Sequence, residues 1–348
     1  MIYTKKYGNI LDYNKEEIER IMLKNEEKKF RAKQIVEWIY DKKAKDFSAM
    51  TNLSYLLREF LKNNFYYQFL EVIKENSSKE SKTKKYLFKL PDGNTIESVL
   101  LFYDDRTTAC ISSQVGCALK CKFCATGKGG FIRNLTTGEI INQILSMEHY
   151  SKTKITHVVY MGMGEPLLNY DNVIKSIQIL QKLKKISARR ITVSSSGIAP
   201  KIKEFADLET QIRLAISLHA PNDKLRNSLM PINRKYPIVE LFDSLIYYQR
   251  KTQRRITFEY IMIKGINDTE EEALELSKLI KDFKIKCNVN LIPLNPVDET
   301  LKRSSPITIK KFMKILKDNG IETVVREEKG TEINGACGQL RSKNFIEK

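Results

Sequence analysis

The sequence has no apolar run near the roughly 18 to 20 residues that a helix needs to span a bilayer. Its opening residues, MIYTKKYGNILDYNKEE, contain no apolar core of the kind that defines a signal peptide. The first absence argues against a membrane-spanning protein and the second against a secreted one, so we expect a cytoplasmic protein. In that reducing compartment, clustered cysteines indicate metal or redox chemistry more than structural disulfides.

Acidic residues are also in short supply. The 42 Asp and Glu residues stand against 60 Lys and Arg, which gives a net charge of +18. A surplus of this size predicts a polyanionic partner, because basic side chains that neutralise phosphates release condensed counterions. A lysine-rich proteome would produce part of the same surplus, since Ile, Lys and Asn are abundant. Nucleic acid is therefore the favoured partner, and a merely basic composition is the alternative.

The bulk composition is that of a soluble globular protein, with 42% hydrophobic and 29% charged residues. A chain of 348 residues can bury a full core, and it predicts one large domain with a smaller one beside it. Six cysteines are present, and four of them lie close together. These four are the central feature of the sequence.

The clustered cysteines form an array suited to a metal centre. Cys117, Cys121 and Cys124 stand in C-x3-C-x2-C spacing, and Cys110 lies seven residues upstream. A zinc site would usually close with four protein ligands in paired spacing, and the nearest downstream histidine is His149. An iron–sulfur cluster with one iron free of protein ligands fits the array better, and a zinc knuckle is the alternative.

Residues 1–75 predict a small helical module. Five apolar side chains recur there at helical spacing and predict a buried stripe: Leu53, Leu56, Leu57, Phe60 and Leu61. A polar loop is expected at 75–85, within a hairpin and linker region at 76–106 where KYLFKL and TIESVLLF flank a turn. Glu97 lies in the second hairpin strand, and a lone strand glutamate is usually solvent-facing.

From residue 107 onward the pattern alternates between strands and helices. Apolar segments predict six strands, at 108–113, 155–161, 189–194, 212–218, 255–263 and 288–294. Such alternation indicates a parallel sheet with right-handed crossovers. The predicted fold class is α/β, with a partial (β/α)6 barrel over 107–330, because a complete eight-unit barrel would need more chain. Residues 331–348 predict a C-terminal loop.

Small and polar residues follow these strands where the apolar segments stop, which is where β/α barrels carry their chemistry. The strand ends carry the following residues: Gly164, Glu165, Ser194, Ser217, Leu218, His219 and Asn295. Each is weak evidence alone, since Gly and Ser are ordinary turn residues. Together with the cysteine array at the end of the first strand, they predict a cofactor pocket.

The two remaining cysteines lie in different settings. Cys337 stands between small residues in KGTEINGACGQL, a segment too glycine-rich for a helix or a buried strand. A thiol on such a loop is expected to be exposed and reactive. Cys287 opens an apolar strand and is expected to be a plain core residue.

The cysteine array, with Phe123 before its last member, resembles the cluster motif of the radical S-adenosylmethionine (SAM) superfamily, and GMGEP resembles its glycine-rich SAM motif. Further segments resemble the RlmN family of RNA adenine-C2 methyltransferases: GMGEPLLN, SLHAPND, MPINRKYP, NLIPLNP and ACGQL. The resemblance runs from about Phe30 to Leu340. The Cfr-type enzymes, which methylate adenine C8, share the cysteines, but the proline of GMGEP and the GNTIESVL stretch favour the C2 enzymes.

This resemblance implies a role for each candidate residue. Three would ligate one [4Fe–4S] cluster: Cys117, Cys121 and Cys124. Seven would contact SAM: Gly164, Glu165, Ser194, Ser217, Leu218, His219 and Asn295. Cys337 would carry a methyl group as S-methylcysteine, Cys110 would resolve it through a transient disulfide, and Glu97 would accept a proton.

The resemblance also implies the substrates and partners. The substrates would be an adenosine in the peptidyl-transferase centre of 23S rRNA and the adenosine beside the tRNA anticodon. Two SAM molecules would be used per turnover, one to methylate the carrier cysteine and one to supply a 5′-deoxyadenosyl radical. A reductant such as flavodoxin or ferredoxin would be needed, and a monomer is expected. Basic runs at 182–190 and 250–255, with the Lys and Arg of the helical N-terminal module, would contact RNA phosphates.

Two alternatives stay open beside this hypothesis. One is an adenine-C8 methyltransferase of the Cfr type, which would use the same cysteines. The other is a non-enzymatic, zinc-stabilised RNA-binding protein, which would give no reason for Cys337 or for the strand-end residues.

Overall fold

The computed structural model describes residues 5–295, 297 and 299–341. Its N-terminal part contains three α-helices: α1 (Lys15–Lys24), α2 (Phe30–Val36) and α3 (Tyr55–Asn64). Shorter helical turns accompany them at Ile10–Asp12, Glu37–Asp41 and Phe47–Ala49. Asn14 and Glu17 form a reciprocal capping box, which explains why α1 begins at Lys15. Residues 1–4 of the expected helical module lie outside the described residues, and its boundary at residue 75 stays a prediction.

The expected apolar stripe of α3 is wrong at one position. Leu53, Leu57 and Leu61 are buried, whereas Leu56 is 78% exposed. Ser54 caps the helix by accepting a hydrogen bond from the N–H of Leu57, which fixes where the helix begins. Because the helix packs on one side only, Leu57 and Leu61, which are four residues apart, lie in the core, and the neighbouring Leu56 faces solvent.

Three antiparallel strands form one end of the main sheet: β1 (Glu71–Ser78), β2 (Thr83–Lys89) and β3 (Thr95–Phe102). The β2–β3 hairpin matches the sequence pattern. The loop expected at 75–85 is wrong, because most of its polar residues continue as paired strands. Polar side chains suit β1 because it is an exposed edge strand, and a 2.9 Å ion pair between Lys84 Nζ and Glu75 Oε1 joins it to β2.

The rest of the sheet is parallel. After β4 (Thr107–Cys110), a separate small hairpin forms from β5 (Gln114–Gly116) and β6 (Phe131–Asn134). The remaining strands are β7 (His157–Tyr160), β8 (Ile191–Ser195), β9 (Arg213–Ser217), β10 (Ile256–Met262), β11 (Cys287–Pro293) and β12 (Thr323–Val325). The ten-stranded sheet has the order β1-β2-β3-β4-β7-β8-β9-β10-β11-β12. All six expected strands are present and β12 adds a short one, so the α/β partial-barrel fold is confirmed.

Eight further helices follow the cysteine array and the strands: α4 (Ala125–Lys128), α5 (Thr137–Ser151), α6 (Tyr170–Lys182), α7 (Ala199–Asp207), α8 (Asp223–Leu229), α9 (Ile238–Thr252), α10 (Glu270–Asp282) and α11 (Pro306–Asp318). Short 3-10 turns lie at Pro166–Asn169, Ala188–Arg190 and Pro231–Arg234. Thr136 and Glu139 form a reciprocal capping box at the start of α5. Within the described residues, no helix has the length and apolarity needed to cross a membrane.

The N-terminal helices pack on the outside of the barrel. Their hydrophobic core also contains Ile141 and Leu145 of α5 and Ile179 of α6. Asp12 accepts a 2.6 Å hydrogen bond from the N–H of Gly138 in the first turn of α5, where the helix dipole favours an acid. The helical module is thus attached to the outer face of the two helices that flank β7.

Candidate functional site

The carboxyl ends of the parallel strands surround a cavity with about 890 Å³ of empty space, its open mouth included. Sites for cofactors and small ligands typically measure about 300–1,000 Å³. Nine residues expected from the sequence line it: Cys117, Cys121, Cys124, Gly164, Glu165, Ser194, Ser217, His219 and Cys337. We call this space the cysteine cavity. The fold brings together the cysteine array, the strand ends and two residues of the C-terminal loop, Cys337 and Gly338.

The array cysteines lie on a tightly folded loop between β5 and α4. Gly116 has φ +76°, and a Cβ at that position would lie 2.0 Å from the carbonyl oxygen of Gly130, so the turn requires glycine. The N–H of Cys117 donates to the same oxygen at 2.7 Å. Cys117 and Cys121 are buried, and Cys124 is half-buried.

The donor set and the space fit a [4Fe–4S] cluster. Burial raises the pKa of Cys117 to about 12 and also raises that of Cys121, so both thiols hold their protons until a metal that binds thiolate displaces them. The three cysteines line a cavity with room for a polyatomic group. Among the described residues, no group of three or more His, Cys, Asp and Glu side chains is arranged to hold a single metal ion.

Glu165 joins the ends of β7 and β8. Its carboxylate accepts hydrogen bonds from the N–H of Leu167 at 3.1 Å and of Ser196 at 2.7 Å. Its own N–H donates to Gln114 Oε1 at 2.8 Å. Gly164 has φ +102°, and a Cβ there would lie 2.6 Å from the Cβ of Gln114, so glycine is required. Burial raises the pKa of Glu165, which faces no cationic partner among its described hydrogen bonds.

His219 is buried beside the cysteine loop. Its Nδ1 accepts a 3.0 Å hydrogen bond from the N–H of Ile261, so that nitrogen carries no proton. Its ring meets the ring of Phe123 edge-on, with centroids 4.7 Å apart. Burial, and secondarily the charge of Arg226, lower the pKa of His219 to about 3, so the imidazole is neutral at physiological pH.

Arg226, from α8, ties the strand ends together and was not identified from the sequence. Its buried guanidinium donates to the carbonyl oxygens of Leu218, Ser196 and Ser217 and to Asn233 Oδ1, at 2.7 to 3.1 Å. The Leu218 side chain is fully buried and is not part of the cavity wall. No pattern marks Arg226, because an arginine on a short polar helix reads as a solvated residue.

A second cavity adjoins the cysteine cavity and contains the other two candidate thiols. Cys110 and Cys337 both line it, together with Asn295. Asn295 Nδ2 donates to the carbonyl oxygen of Cys337 at 3.2 Å, and the Thr331 hydroxyl donates to Asn295 Oδ1 at 3.3 Å. Burial raises the pKa of Cys110 to about 12. Cys337 belongs to both walls, so it lies between the cysteine array and Cys110.

The segment that carries Cys337 is irregular as far as Arg341, and its last expected residues, 342–348, lie outside the described residues. Cys337 is half-buried rather than fully exposed. The segment is held at several points, since Ala125 N–H donates to Gly338 O at 2.7 Å and Thr126 Oγ1 donates to Leu340 O. A glycine-rich loop is therefore fixed over the cysteine array by backbone contacts that the sequence does not reveal.

Arg326 lies between the two cavities and lines both of them. Its Nη1 is 3.7 Å from Glu259 Oε2. The neighbouring Cys337 sulfur, and after it Glu259, raise the pKa of Arg326, so its charge is permanent. The sequence interpretation missed this residue, because a strand-end arginine in VVREE has no distinguishing pattern.

Glu97 is buried, and its solvent-facing interpretation is wrong. Its Oε1 lies 2.7 Å from Lys85 Nζ, and its Oε2 accepts a 2.7 Å hydrogen bond from the N–H of Arg341. It lines a third cavity with Asn334 and Gln339 of the Cys337 segment, not the two cavities described above. Burial raises the pKa of Glu97 against the opposing effect of Lys85.

Comparison with protein families matches two parts of the chain. Residues 111–277 match the radical SAM superfamily. Residues 8–66 match the ribosomal RNA large subunit methyltransferase N-terminal domain. The first match covers the cysteine array and the strands up to β10, and the second covers the helical module.

Similar proteins align with nearly the whole chain. A probable dual-specificity RNA methyltransferase RlmN from Thermotoga maritima is 51% identical over 339 residues, which cover 97% of this chain and 98% of that protein. A probable dual-specificity RNA methyltransferase RlmN from Clostridium novyi is 49% identical over 97% of this chain and 98% of its own. The crystal structure of a radical SAM methyltransferase from Sphaerobacter thermophilus superposes with a TM-score of 0.93, at 43% identity, covering 96% of this chain and 99% of that one.

Proposed function

This chain belongs to the RlmN family of the radical SAM superfamily, and we propose that it methylates C2 of adenosine in RNA. The proposed substrates are an adenosine in the peptidyl-transferase centre of 23S rRNA and the adenosine beside the tRNA anticodon. The supporting observation is that Cys337 lines both the cysteine cavity and the cavity that contains Cys110. The proposed carrier thiol, Cys337, and the proposed resolving thiol, Cys110, thus line one cavity beside the array cysteines.

The cofactors have candidate ligands on this chain. Cys117, Cys121 and Cys124 would hold one [4Fe–4S] cluster, and SAM would lie against the strand ends. The cluster and SAM, when bound, supply the methyl group and the radical that activates it. Glu165 and His219 are fixed by their hydrogen bonds before SAM binds, so they present a rigid wall.

Not all of the expected SAM contacts have equal support. Gly164, Glu165, Ser194, Ser217 and His219 line the cysteine cavity. Leu218 is buried behind them, and its N–H and C=O are already bonded to Glu259 and Arg226. Asn295 lines the adjoining cavity, and its amide is bonded to Cys337 and Thr331. For these two residues we propose a role in holding the wall and the Cys337 segment.

The reaction explains why two thiols are needed outside the cluster. C2 of adenine is an electron-poor carbon without a lone pair, so it cannot attack a methyl donor as an amine does. Cys337 would instead carry the methyl group as S-methylcysteine and deliver it to C2 as a covalent link. Cys110 would then attack the sulfur of Cys337, forming a disulfide and breaking the sulfur–carbon link to the RNA.

Other side chains would support this exchange. Arg326 places a fixed positive charge beside the two sulfurs, whose exchange requires a thiolate. Glu97 would take up the C2 proton, and its raised pKa makes it a better base than an exposed carboxylate. A reductant such as flavodoxin or ferredoxin would return the disulfide to two thiols after each turnover. We expect the enzyme to act in the cytoplasm as a monomer.

Anaerobic purification tests the proposal. We expect brown protein with about four irons per chain, and a Cys337 peptide heavier by one methylene group in mass spectra. Digested RNA should carry the new methyl group at adenine C2. Cys110→Ala should trap a covalent protein–RNA species, whereas Cys337→Ala should neither trap RNA nor methylate it. A methyl group at C8 would favour the Cfr-type reaction, and colourless protein with one zinc would refute radical chemistry.

A further inference from the structure

The parallel strands curve around a second large space on the other side of the cysteine cavity. It contains about 1,570 Å³ of empty space, its mouth included. Its walls include residues of six neighbouring strands, β4, β7, β8, β9, β10 and β11: Thr108, His157, Val159, Thr192, Ala215, Thr257, Glu259 and Asn290. Residues two apart share one face of a strand, so this wall is the inner face of the sheet. We call this space the barrel lumen.

The barrel lumen reaches the cysteine cavity. Met161, Glu259 and Arg326 line both spaces. Met161 and Arg326 also line the cavity of Cys110 and Cys337. A group that entered the lumen from its far end would therefore arrive at Arg326, beside the candidate methyl carrier.

The far end of the lumen is rimmed by arginines. Arg189 and Arg190 directly precede β8, Arg213 opens β9 and Arg106 precedes β4, so all four lie at the amino ends of the strands. Arg106 is paired with Asp105 at 3.1 Å. Among the described residues, the guanidinium groups of Arg189, Arg190 and Arg213 have no ion pair or side-chain hydrogen bond. These three arginines thus have no acidic partner within ion-pair distance among the described residues, although Asp105, Glu259 and Glu327 also line the lumen.

The pKa of His157 is affected by the same positive charges. It opens β7 and lines the lumen between the arginines. Burial and then the charges of Arg190, Arg106 and Arg213 lower the pKa of His157, with Asp105 as the opposing acid. Arg106, Arg190 and Arg213 therefore act on the same point, and with Arg189 on the same rim they make the mouth of the lumen attractive to anions.

We propose that the mouth of the barrel lumen binds phosphates of a single-stranded RNA segment whose unstacked target base passes through the lumen to Cys337. This inference rests on the proposed RNA substrate. Guanidinium groups match phosphate oxygens with forked donors, and an unpaired cluster becomes favourable once an anion binds. The hydroxyl groups of Thr108 and Thr192 offer hydrogen bonds along the route, whereas Thr257 and Asn290 line it but are already bonded to Asn288 and Glu259.

Two residues of the basic runs, Lys184 and Lys251, already have acidic partners. Lys184 lies 2.7 Å from the buried Glu148, and Lys251 lies 3.7 Å from Asp207. A phosphate at these side chains would have to displace a carboxylate. The unpaired arginines of the lumen mouth carry no such cost, so they are the stronger anion site.

The test compares two triple variants of the full-length, cluster-containing enzyme. The first is Arg189→Ala with Arg190→Ala and Arg213→Ala. The second removes three exposed lysines on the outer helix α11, through Lys310→Ala, Lys314→Ala and Lys317→Ala. Both lose the same charge. Fluorescence anisotropy would measure the affinity for an RNA hairpin with an unpaired loop adenosine across a series of salt concentrations.

We expect the lumen variant to bind the hairpin roughly tenfold or more weakly at low salt, and the slope of log affinity against log salt to fall by about 2. Its KM for the hairpin should rise while the cleavage of SAM without RNA stays unchanged. The α11 variant should keep a slope close to that of the unaltered enzyme. Replacing the three arginines with lysine should restore most of the slope, which a purely structural role would not predict.

Unchanged affinity and slope in the lumen variant, or an equal loss in the α11 variant, would overturn the inference while leaving the proposed function standing. An unaltered enzyme that neither binds nor methylates the hairpin or larger RNA would instead refute the proposed function, and this inference with it. Circular dichroism and the cluster absorbance of each variant identify losses that come from misfolding.

Discussion

The polar side chains at the two ends of the barrel differ in whether they have partners within the protein. At the carboxyl ends, the side chains of Glu165, His219 and Arg226 are hydrogen-bonded to the backbone of neighbouring strand ends, and the Cys337 segment lies against the cysteine array. At the amino ends, three arginines face the lumen with no described partner. A site that must hold a cofactor in one pose is rigid. A site that binds a polyanion instead has basic side chains that are not paired with acids of the protein.

The largest effect should come from Arg226, the residue that fixes the carboxyl-end site. Arg226→Leu would leave three buried carbonyl oxygens and Asn233 without their donor. We expect a loss of about 3 kcal/mol in the free energy of unfolding, measured with urea. RNA affinity of the folded variant should keep its salt slope. A loss of slope would mean that the two ends of the barrel are not independent.

Lys224, two residues before Arg226 on α8, gives the control, because its side chain is exposed. Lys224→Leu removes the same charge from the same helix without leaving buried oxygens unpaired. We expect a change below about 0.5 kcal/mol, as for most surface substitutions. Similar losses in both variants would show that helix charge, and not the hydrogen bonds of Arg226, stabilises the site.

A smaller effect is expected from the protonation of His219. Its pKa is lowered to about 3 in the folded protein, whereas an unfolded histidine titrates near 6.5. The unfolded chain therefore binds the extra proton first, and the contribution of His219 to stability is present above about pH 6.5 and lost as the pH falls toward 3. Between about pH 7 and pH 5, the unaltered protein should lose up to about 2 kcal/mol relative to His219→Asn.

His219→Asn suits this comparison because the Asn side-chain oxygen can accept the Ile261 hydrogen bond and does not titrate. Urea unfolding of both proteins at each pH gives the difference. If the free energies of unfolding of the two proteins changed with pH in parallel, His219 would not be held neutral by the fold, and water would have more access to the carboxyl-end site than its burial indicates.

The smallest effect should come from the basic run at 250–255. Lys251 and Arg255 are paired with acids, and Arg254 donates to Gln211 at 3.3 Å. Replacing Arg250, Lys251, Arg254 and Arg255 with alanine should weaken RNA binding less than tenfold, and should lower the salt slope less than the lumen variant does. A slope that does not change at all would remove this run from the RNA surface. A larger loss than at the lumen mouth would reverse the contrast between partnered and unpartnered charges.

Much of the fold was predictable because its signals are local. Strands such as β10 are rich in apolar residues, and α5 begins at a capping box formed by Thr136 and Glu139. The failures have local causes too. Leu56 fits the helical period but lies beyond the packed face, and most of the polar 75–85 segment belongs to β1 and β2 because its backbone pairs there, while an ion pair joins Glu75 to Lys84.

The sequence by itself determined the cysteine array and the order of the strands, because spacing and periodicity act over a few residues. It also placed the SAM-motif residues at strand ends, and parallel strands bring such ends to one edge of a sheet. Only the tertiary structure decided that Cys337 and Cys110 line one cavity, that Glu97 is buried against Lys85, and that Arg326 lines both cavities. The curvature of the sheet also gathers Arg189, Arg190 and Arg213 around one mouth. Contacts between distant segments depend on how the whole sheet closes, and no short pattern encodes that closure.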